Sequence, residues 1–262
     1  MHQYLFFIGN FPIRLYGIFF SLGIISGCIT AYFLLKKDRR GWESHMFDLG
    51  LVIAFAGIIG GRLWDVLFFD WEYYHNHLLE IPYVWQGGMA IQGGIIFACI
   101  AAYFYLKKNQ IPVLPFADIV TPGIILGQAV GRIANFMNGD AFGHPTGQDF
   151  GLLYPDTTLA YHTYGAQPLW PAEVWECQGD LLIFVLLLWY GCKTRAEGTT
   201  FCLYIMFYSL LRFFLENYRG DYGTLALGLK CAQITSLVAF AGAFILFLYF
   251  HFKHKSKSGI SE

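Results

Sequence analysis

Charge is what this chain of 262 residues is short of: Asp, Glu, Lys and Arg make up 13% of it, against 56% hydrophobic residues. Soluble chains carry roughly 25% charged residues, so the deficit argues against a soluble globular domain and for an integral membrane protein. A net charge of -1 comes with no basic patch, which removes nucleic acid as a partner. Histidine is missing from the middle of every apolar run: His2, His45, His75, His77, His144, His162, His251 and His254 all fall elsewhere. That argues against an embedded histidine base or metal centre, and His144 and His162 read as solvated loop residues. The six cysteines, Cys28, Cys99, Cys177, Cys192, Cys202 and Cys231, contain no CxxC pair. They read as small core hydrophobes. Nucleotide-binding loops, HExxH and a nucleophile-elbow serine are also missing, so neither cofactor nor metal is expected.

What is present is length without charge. Apolar runs near the roughly 20 residues that cross a bilayer occur seven times, at about Pro12–Leu35, Met46–Phe69, Gly87–Leu106, Pro115–Met137, Pro171–Gly191, Thr199–Leu215 and Leu229–Phe252. The expected fold is an all-α bundle of seven transmembrane helices forming one membrane domain over 1–262. Eleven of the seventeen basic residues fall on one side: Lys36, Lys37, Arg39, Arg40, Lys107, Lys108, Lys193, Arg195, Lys253, Lys255 and Lys257. The positive-inside rule then puts the amino terminus outside and the carboxyl terminus in the cytosol. The first span is followed at once by KKDRR and lacks a basic region before it, unlike a cleaved signal peptide. Two outer connections are long enough to fold: 70–86 as a loop or arm, and 138–170 as a small extracytoplasmic cap.

The remaining basic residues are Lys230 and five arginines, Arg14, Arg62, Arg132, Arg212 and Arg219. An arginine near a bilayer centre costs about 3 kcal/mol even on the mild insertion scale. At about 1.5 Å of rise per residue, Arg62 and Arg132 lie roughly 25 Å from the inner face. All five arginines therefore belong to the outer half, where a polar cavity is expected. Tyr208, Arg212 and Glu216 are spaced i, i+4, i+8 with Arg219 three residues further on, one stripe on a helix. Such a stripe is either an internal ion pair stapling helices or a functional site, and within a membrane the functional interpretation is favoured. In GRIANFMNGDAFG, Arg132 and Asn135 share a face and Asn138 extends it, combining a planar fork for phosphate oxygens with neutral donors. In GGRLWDVLF, Arg62 and Asp65 fit a salt bridge nearly as well as a ligand site. The glycine pairs of GGMAIQGGII suit close helix packing, with the role of Gln92 left open.

Together, RLYGIFFSLG, GGRLWDVLF, GGMAIQGGII, GRIANFMNGDAFG and YSLLRFFLENYRGD resemble the prolipoprotein diacylglyceryl transferase family over most of the chain. The resemblance implies seven spans in the bacterial cytoplasmic membrane, with the site facing the outer half of the bilayer. It also implies transfer of the diacylglyceryl group of phosphatidylglycerol to the lipobox cysteine thiol of a prolipoprotein, forming a thioether and releasing glycerol phosphate. By position, Arg132, Asn135, Asn138, Gly143, Tyr208 and Arg212 match residues the family uses for substrate binding and catalysis. Tyr16, Arg62, Glu216 and Arg219 match further polar positions of the substrate site. Three departures stand out. Gln92 replaces a common histidine, a proposed base; Trp170 and Glu173 replace a frequent histidine and glutamine; and Asp65 replaces an aromatic residue. Arg212, Tyr208, Arg132 and Gln92 are the candidate catalytic set.

An anionic-phospholipid binding or translocating protein would share the arginine clamps. Translocation, however, needs an inward route, and the middle and inner parts of the spans carry few charges, chiefly Asp48, Asp118 and Asp180. A small-solute transporter fits less well, since no inverted repeat is evident.

Overall fold

The computed structural model describes residues 4–8, 11–191, 196–220 and 228–258, and each of the seven apolar runs contains one long helix. In chain order the helices are α1 (Leu15–Asp38), α2 (Met46–Phe68), the short α3 (Trp71–Tyr74), α4 (Ile91–Lys108), α5 (Val113–Asn138), the short α6 (Leu159–Tyr164), α7 (Ala172–Gly191), α8 (Thr199–Leu215) and α9 (Cys231–Ser258). Among the described residues, five helices are long and apolar enough to cross a membrane: α1, α5, α9 and the runs containing α2 and α8. The other two long helices differ for visible reasons. α4 has 18 residues and ends on Lys107 and Lys108, and α7 carries Glu173, Glu176 and Asp180. His2, Cys192, Lys193, Arg195 and Asp221, the last residue of YSLLRFFLENYRGD, lie outside the described residues.

The all-α expectation acquires one β element. Strand β1 (Tyr4–Ile8) pairs antiparallel with β2 (Phe11–Arg14), so α1 starts at Leu15 rather than Pro12. Aromatic and β-branched residues favour extended backbone, and a short apolar run does not by itself separate strand from helix. Arg14 sits opposite Tyr4 in register, its guanidinium 5.9 Å from the ring centroid.

The chain forms two compact units. In Leu35–Phe116, α2 packs along α4 through glycine: a Cβ on Gly60 would lie 2.6 Å from the Gly93 carbonyl oxygen and overlap Phe97. The connection between α2 and α4 is fastened from inside by Arg62, which is 3% exposed. Its Nε donates to the Ile81 carbonyl at 2.8 Å, Nη1 to Gly87 and Gly88 at 2.7 and 3.1 Å, and Nη2 to Glu80 at 3.1 Å. The guanidinium also lies 4.8 Å from the Tyr74 ring centroid, and Asp65 Oδ2 is 4.0 Å away. Four carbonyls of this connection thereby accept from one side chain, the Glu80 carbonyl also taking the Tyr83 amide at 3.0 Å.

The second unit comprises Met1–Leu34 and Ala117–Glu262. Here α1 and α5 meet glycine to glycine: a Cβ on Gly23 or Gly27 would lie 2.8 Å from the carbonyl oxygen of Gly127 or Gly123. Lipid tails supply no hydrophobic drive between helices, so such close backbone approach is what binds them. Overpacking of a close contact costs about 1–3 kcal/mol, so Gly27→Leu should measurably lower the melting temperature in detergent. Gly242→Leu is the control, because nothing lies within 4 Å of a Cβ there; equal melting of both variants would remove the glycine contact as a stabilising feature.

Between α5, α7 and α8 the buried core is Ile125, Ile183 and Leu187, with Leu203, Phe207 and Leu211 packed against it. Asp118 of α5 accepts the Gly198 and Phe201 amides at 2.7 and 2.8 Å. It therefore supplies the start of α8 with a cap that Gly198, the residue at that position, has no side chain to provide. From Asn138 to Trp170 the chain folds on its own small core of Phe142, Tyr154, Ala160 and Leu169. Of the cysteines, Cys202 is buried, Cys28 and Cys177 are half-buried, and Cys99 and Cys231 are exposed.

Candidate active site

Three acids of α7 share one helix face, Glu173, Glu176 and Asp180 at i, i+3 and i+7; all three are buried. Glu176 is the hub. Its Oε1 lies 2.6 Å from Arg132 Nη2, and its Oε2 lies 3.3 Å from Arg212 Nη1 and 3.5 Å from Arg219 Nη1. Tyr208 Oη donates to Oε1 at 3.5 Å and accepts from Arg132 Nη2 at 3.1 Å. Arg212 bridges onward, with Nη2 2.9 Å from Glu216 Oε2, and Arg219 Nε lies 3.9 Å from that same oxygen. The stripe on α8 is thus one side of a network whose other sides come from α5 and α7.

The layering of the network matters more than its number of contacts. Side-chain exposure is 1% at Glu176 and 0% at Glu216, but 19% at Arg132 and 15% at Arg212. The carboxylates lie buried, and the two arginine side chains they anchor keep a small accessible fraction. Ionised groups this far from water need several charge-assisted bonds each to be tolerated, and the two glutamates provide them for the arginines. Neither Nε of Arg132 and Arg212 is engaged in these contacts. Each therefore keeps donor capacity toward an incoming anion. Asp180 adds a further buried carboxylate within electrostatic reach of Arg132 and Arg212.

A second cluster sits at the end of α5. Asn135 and Asn138 each donate through Nδ2 to Asp140, at 2.8 Å to Oδ1 and 3.0 Å to Oδ2, while Asn135 Oδ1 accepts from Arg132 Nη1 at 3.4 Å. Tyr16 of α1 is partly exposed and within electrostatic reach of Arg132 and Asp140. The cap closes on the network through backbone. Gly143 pairs with Arg219 as an isolated bridge, and the His144 amide donates to the Tyr218 carbonyl at 2.9 Å. A side chain on Gly143 would collide with the Trp170 backbone and Cβ, so this position requires glycine for close approach. Beside it, the Tyr154 hydroxyl donates to Glu173 Oε1. Burial pushes the Tyr154 phenol up from its ordinary range, and the Glu173 carboxylate adds to the shift.

Of the residues singled out in the sequence, Arg132, Asn135, Asn138, Tyr208, Arg212, Glu216 and Arg219 come together, with Gly143 joined through backbone. Gln92 is exposed at the second position of α4, and Arg62 is engaged by loop carbonyls; both belong to the other unit. Sequence reasoning missed Glu176, Asp140 and Lys230. A signal for the first was present: three acids on one face of an apolar run are expensive unless cations face them.

The sequence profile of the prolipoprotein diacylglyceryl transferase family matches residues 3–249. Among individual relatives, the phosphatidylglycerol–prolipoprotein diacylglyceryl transferase of Clostridium botulinum (strain Langeland) is 34% identical over 250 residues, covering 95% of this chain and 96% of that protein. The protein of the same name from Geobacillus kaustophilus is 36% identical over 233 residues, 88% of this chain and 85% of its own length. The one from Staphylococcus saprophyticus is 34% identical over 236 residues, 88% and 83% respectively.

Proposed function

The chain belongs to the prolipoprotein diacylglyceryl transferase family, and from that premise we infer which of its own residues carry the transfer. The reaction moves the diacylglyceryl group of phosphatidylglycerol to a prolipoprotein. The acceptor is the thiol of the lipobox cysteine. Its sulfur attacks the glycerol carbon that bears the phosphate, a carbon–sulfur bond forms, and the carbon–oxygen bond breaks with its electron pair leaving on phosphate. The phosphodiester monoanion thereby becomes a phosphomonoester with a second charge to accommodate. The thiol proton ends on that phosphate, so the released product is glycerol phosphate.

One observation carries this assignment of roles: two arginine side chains that are not fully buried, Arg132 and Arg212, rest on fully buried Glu176 and Glu216. A clamp held in place before the reaction stabilises charge that grows on phosphate without having to reorganise. Arg132 and Arg212 bind the phosphate, Arg219 backs them, and Tyr208 holds Arg132 in register. Asn135, Asn138 and Tyr16 contact the glycerol and phosphate oxygens, and Gly143 lets the cap approach. Arg62 shapes the outer connection of its own unit.

Gln92, at the position where a histidine is common in the family, has no basicity to offer, which leaves the proton to phosphate. Gln92→His should therefore leave the transfer rate near wild type. A rise above about a hundredfold, the usual contribution of a general base, would show that proton removal had been limiting and that phosphate is an inadequate acceptor.

We place all seven long helices across the bacterial cytoplasmic membrane, amino terminus outside and the cap over 138–170 on the outer face. The one-sided basic residues support this orientation. The decisive experiment is direct transfer. Purified protein in detergent is incubated with phosphatidylglycerol and a lipobox peptide, and the peptide is weighed by mass spectrometry. A diacylglyceryl adduct on cysteine is expected; unmodified peptide, with phosphatidylglycerol bound to the protein, would overturn the assignment.

A further inference from the structure

Lys230 precedes α9 and is the one outer-side cation that is not an arginine. Its side chain is 13% exposed and reaches back to where α8 ends. There the chain passes through the short turn Glu216–Tyr218 into extended backbone at Arg219, with φ -76° and ψ 141°. Helix ends leave carbonyls without partners, and Lys230 meets two of them. Nζ donates to the Glu216 carbonyl at 2.9 Å and to the Arg219 carbonyl, and it lies 3.9 Å from Glu216 Oε1. The Glu216 carbonyl is shared with the Arg219 amide at 3.3 Å.

The lysine is itself fastened. Its backbone amide donates to Gln233 Oε1 at 3.0 Å, which is the backward half of a capping box at the start of α9, and Gln233 Nε2 donates to Asn217 Oδ1 at 3.1 Å. One ammonium thus grips both ends of a turn that carries two members of the network. Glu216 holds Arg212, and Arg219 backs Glu176.

We propose that Lys230 is a positioning residue for the phosphate clamp, fixing the turn from Glu216 to Arg219 so that Arg212 and Arg219 face phosphatidylglycerol at the required spacing. This role rests on those arginines binding the lipid phosphate. Lys230 acts through them and need not touch the lipid. Its loss leaves the arginine charges in place and disturbs their spacing, so it should slow the chemical step while phosphatidylglycerol and peptide binding change little. A lysine that merely stapled α9 to α8 would behave differently: its loss would reduce the folded fraction and leave kcat per folded protein unchanged.

The test is steady-state transfer by detergent-purified Lys230→Met, with Lys230→Arg beside it and folded protein counted by its thermal transition. Losing a hydrogen-bonding charged group should lower kcat per folded protein about tenfold, with KM for phosphatidylglycerol and for the peptide within about threefold of wild type. Lys230→Arg keeps the charge and the donors and should restore kcat. A wild-type kcat per folded protein in Lys230→Met overturns the proposal even if its melting temperature falls, and so does Lys230→Arg as impaired as Lys230→Met. Absence of any adduct from the wild-type protein would instead overturn the transferase role of the clamp, so the two failures are distinct.

Discussion

Glu176→Gln should reduce transfer by at least about a hundredfold, since breaking a buried ion pair from one side costs about 3–5 kcal/mol. The change is nearly isosteric but removes the charge that Arg132, Arg212 and Arg219 share at 2.6, 3.3 and 3.5 Å. Three guanidiniums would then face one another with one carboxylate fewer between them, and Tyr208 would lose its carboxylate acceptor. Glu173→Gln, one turn earlier on α7, is the internal control. Glu173 accepts from the Tyr154 hydroxyl through Oε1, a role that a glutamine carbonyl fills equally well. Initial rates of cysteine adduct formation, normalised to folded protein, separate the two. Equal losses in both variants would mean that burial alone makes the α7 acids important and that Glu176 has no special place among them.

The contrast between these glutamates shows what sequence can and cannot reveal here. The α8 stripe was legible because Arg212 and Glu216 are four residues apart, a separation that a helix converts into proximity, and they meet at 2.9 Å. The same logic found Arg132 with Asn135, at 3.4 Å. Glu176 obeys no local rule: its partners lie 44 residues before it and 36 and 43 after it, and only tertiary packing brings them together. Arg62 is the converse case. Asp65 stands at helical spacing and ends 4.0 Å away, whereas the bonds that engage the guanidinium come from carbonyls 18 to 26 residues later. Backbone acceptors carry no residue signature, so nothing in the side-chain pattern announces them. The hairpin at Tyr4–Arg14 was obscured for a simpler reason: its apolar residues run into those of α1, and hydropathy alone draws no boundary between them.

Arg212→Lys should abolish turnover, a fall of about a thousandfold or more of the kind seen when a charge-stabilising donor is lost, while the protein still folds and inserts. The fold should survive because the contacts that bury α8 run along Leu203, Phe207 and Leu211 against Ile183 and Leu187, and a lysine keeps the positive charge beside two glutamates. What it loses is span. Arg212 places Nη1 3.3 Å from Glu176 on α7 and Nη2 2.9 Å from Glu216 on its own chain segment, so one rigid plane joins two carboxylates and still has an Nε–H to offer. Lysine has a single nitrogen at the end of a flexible stem. It can serve one glutamate or the phosphate, and whichever carboxylate it abandons keeps only its remaining partners, Arg132 and Arg219 for Glu176 or Arg219 and Lys230 for Glu216. The variant should therefore retain phosphatidylglycerol binding better than turnover, because ground-state attraction needs only charge, whereas the growing phosphate dianion needs donors already in position. Transfer rates together with phosphatidylglycerol affinity distinguish these effects. An Arg212→Lys variant working at the wild-type rate would remove the guanidinium from the mechanism, and one that bound no lipid yet remained folded would show that Arg212 contributes to binding alone.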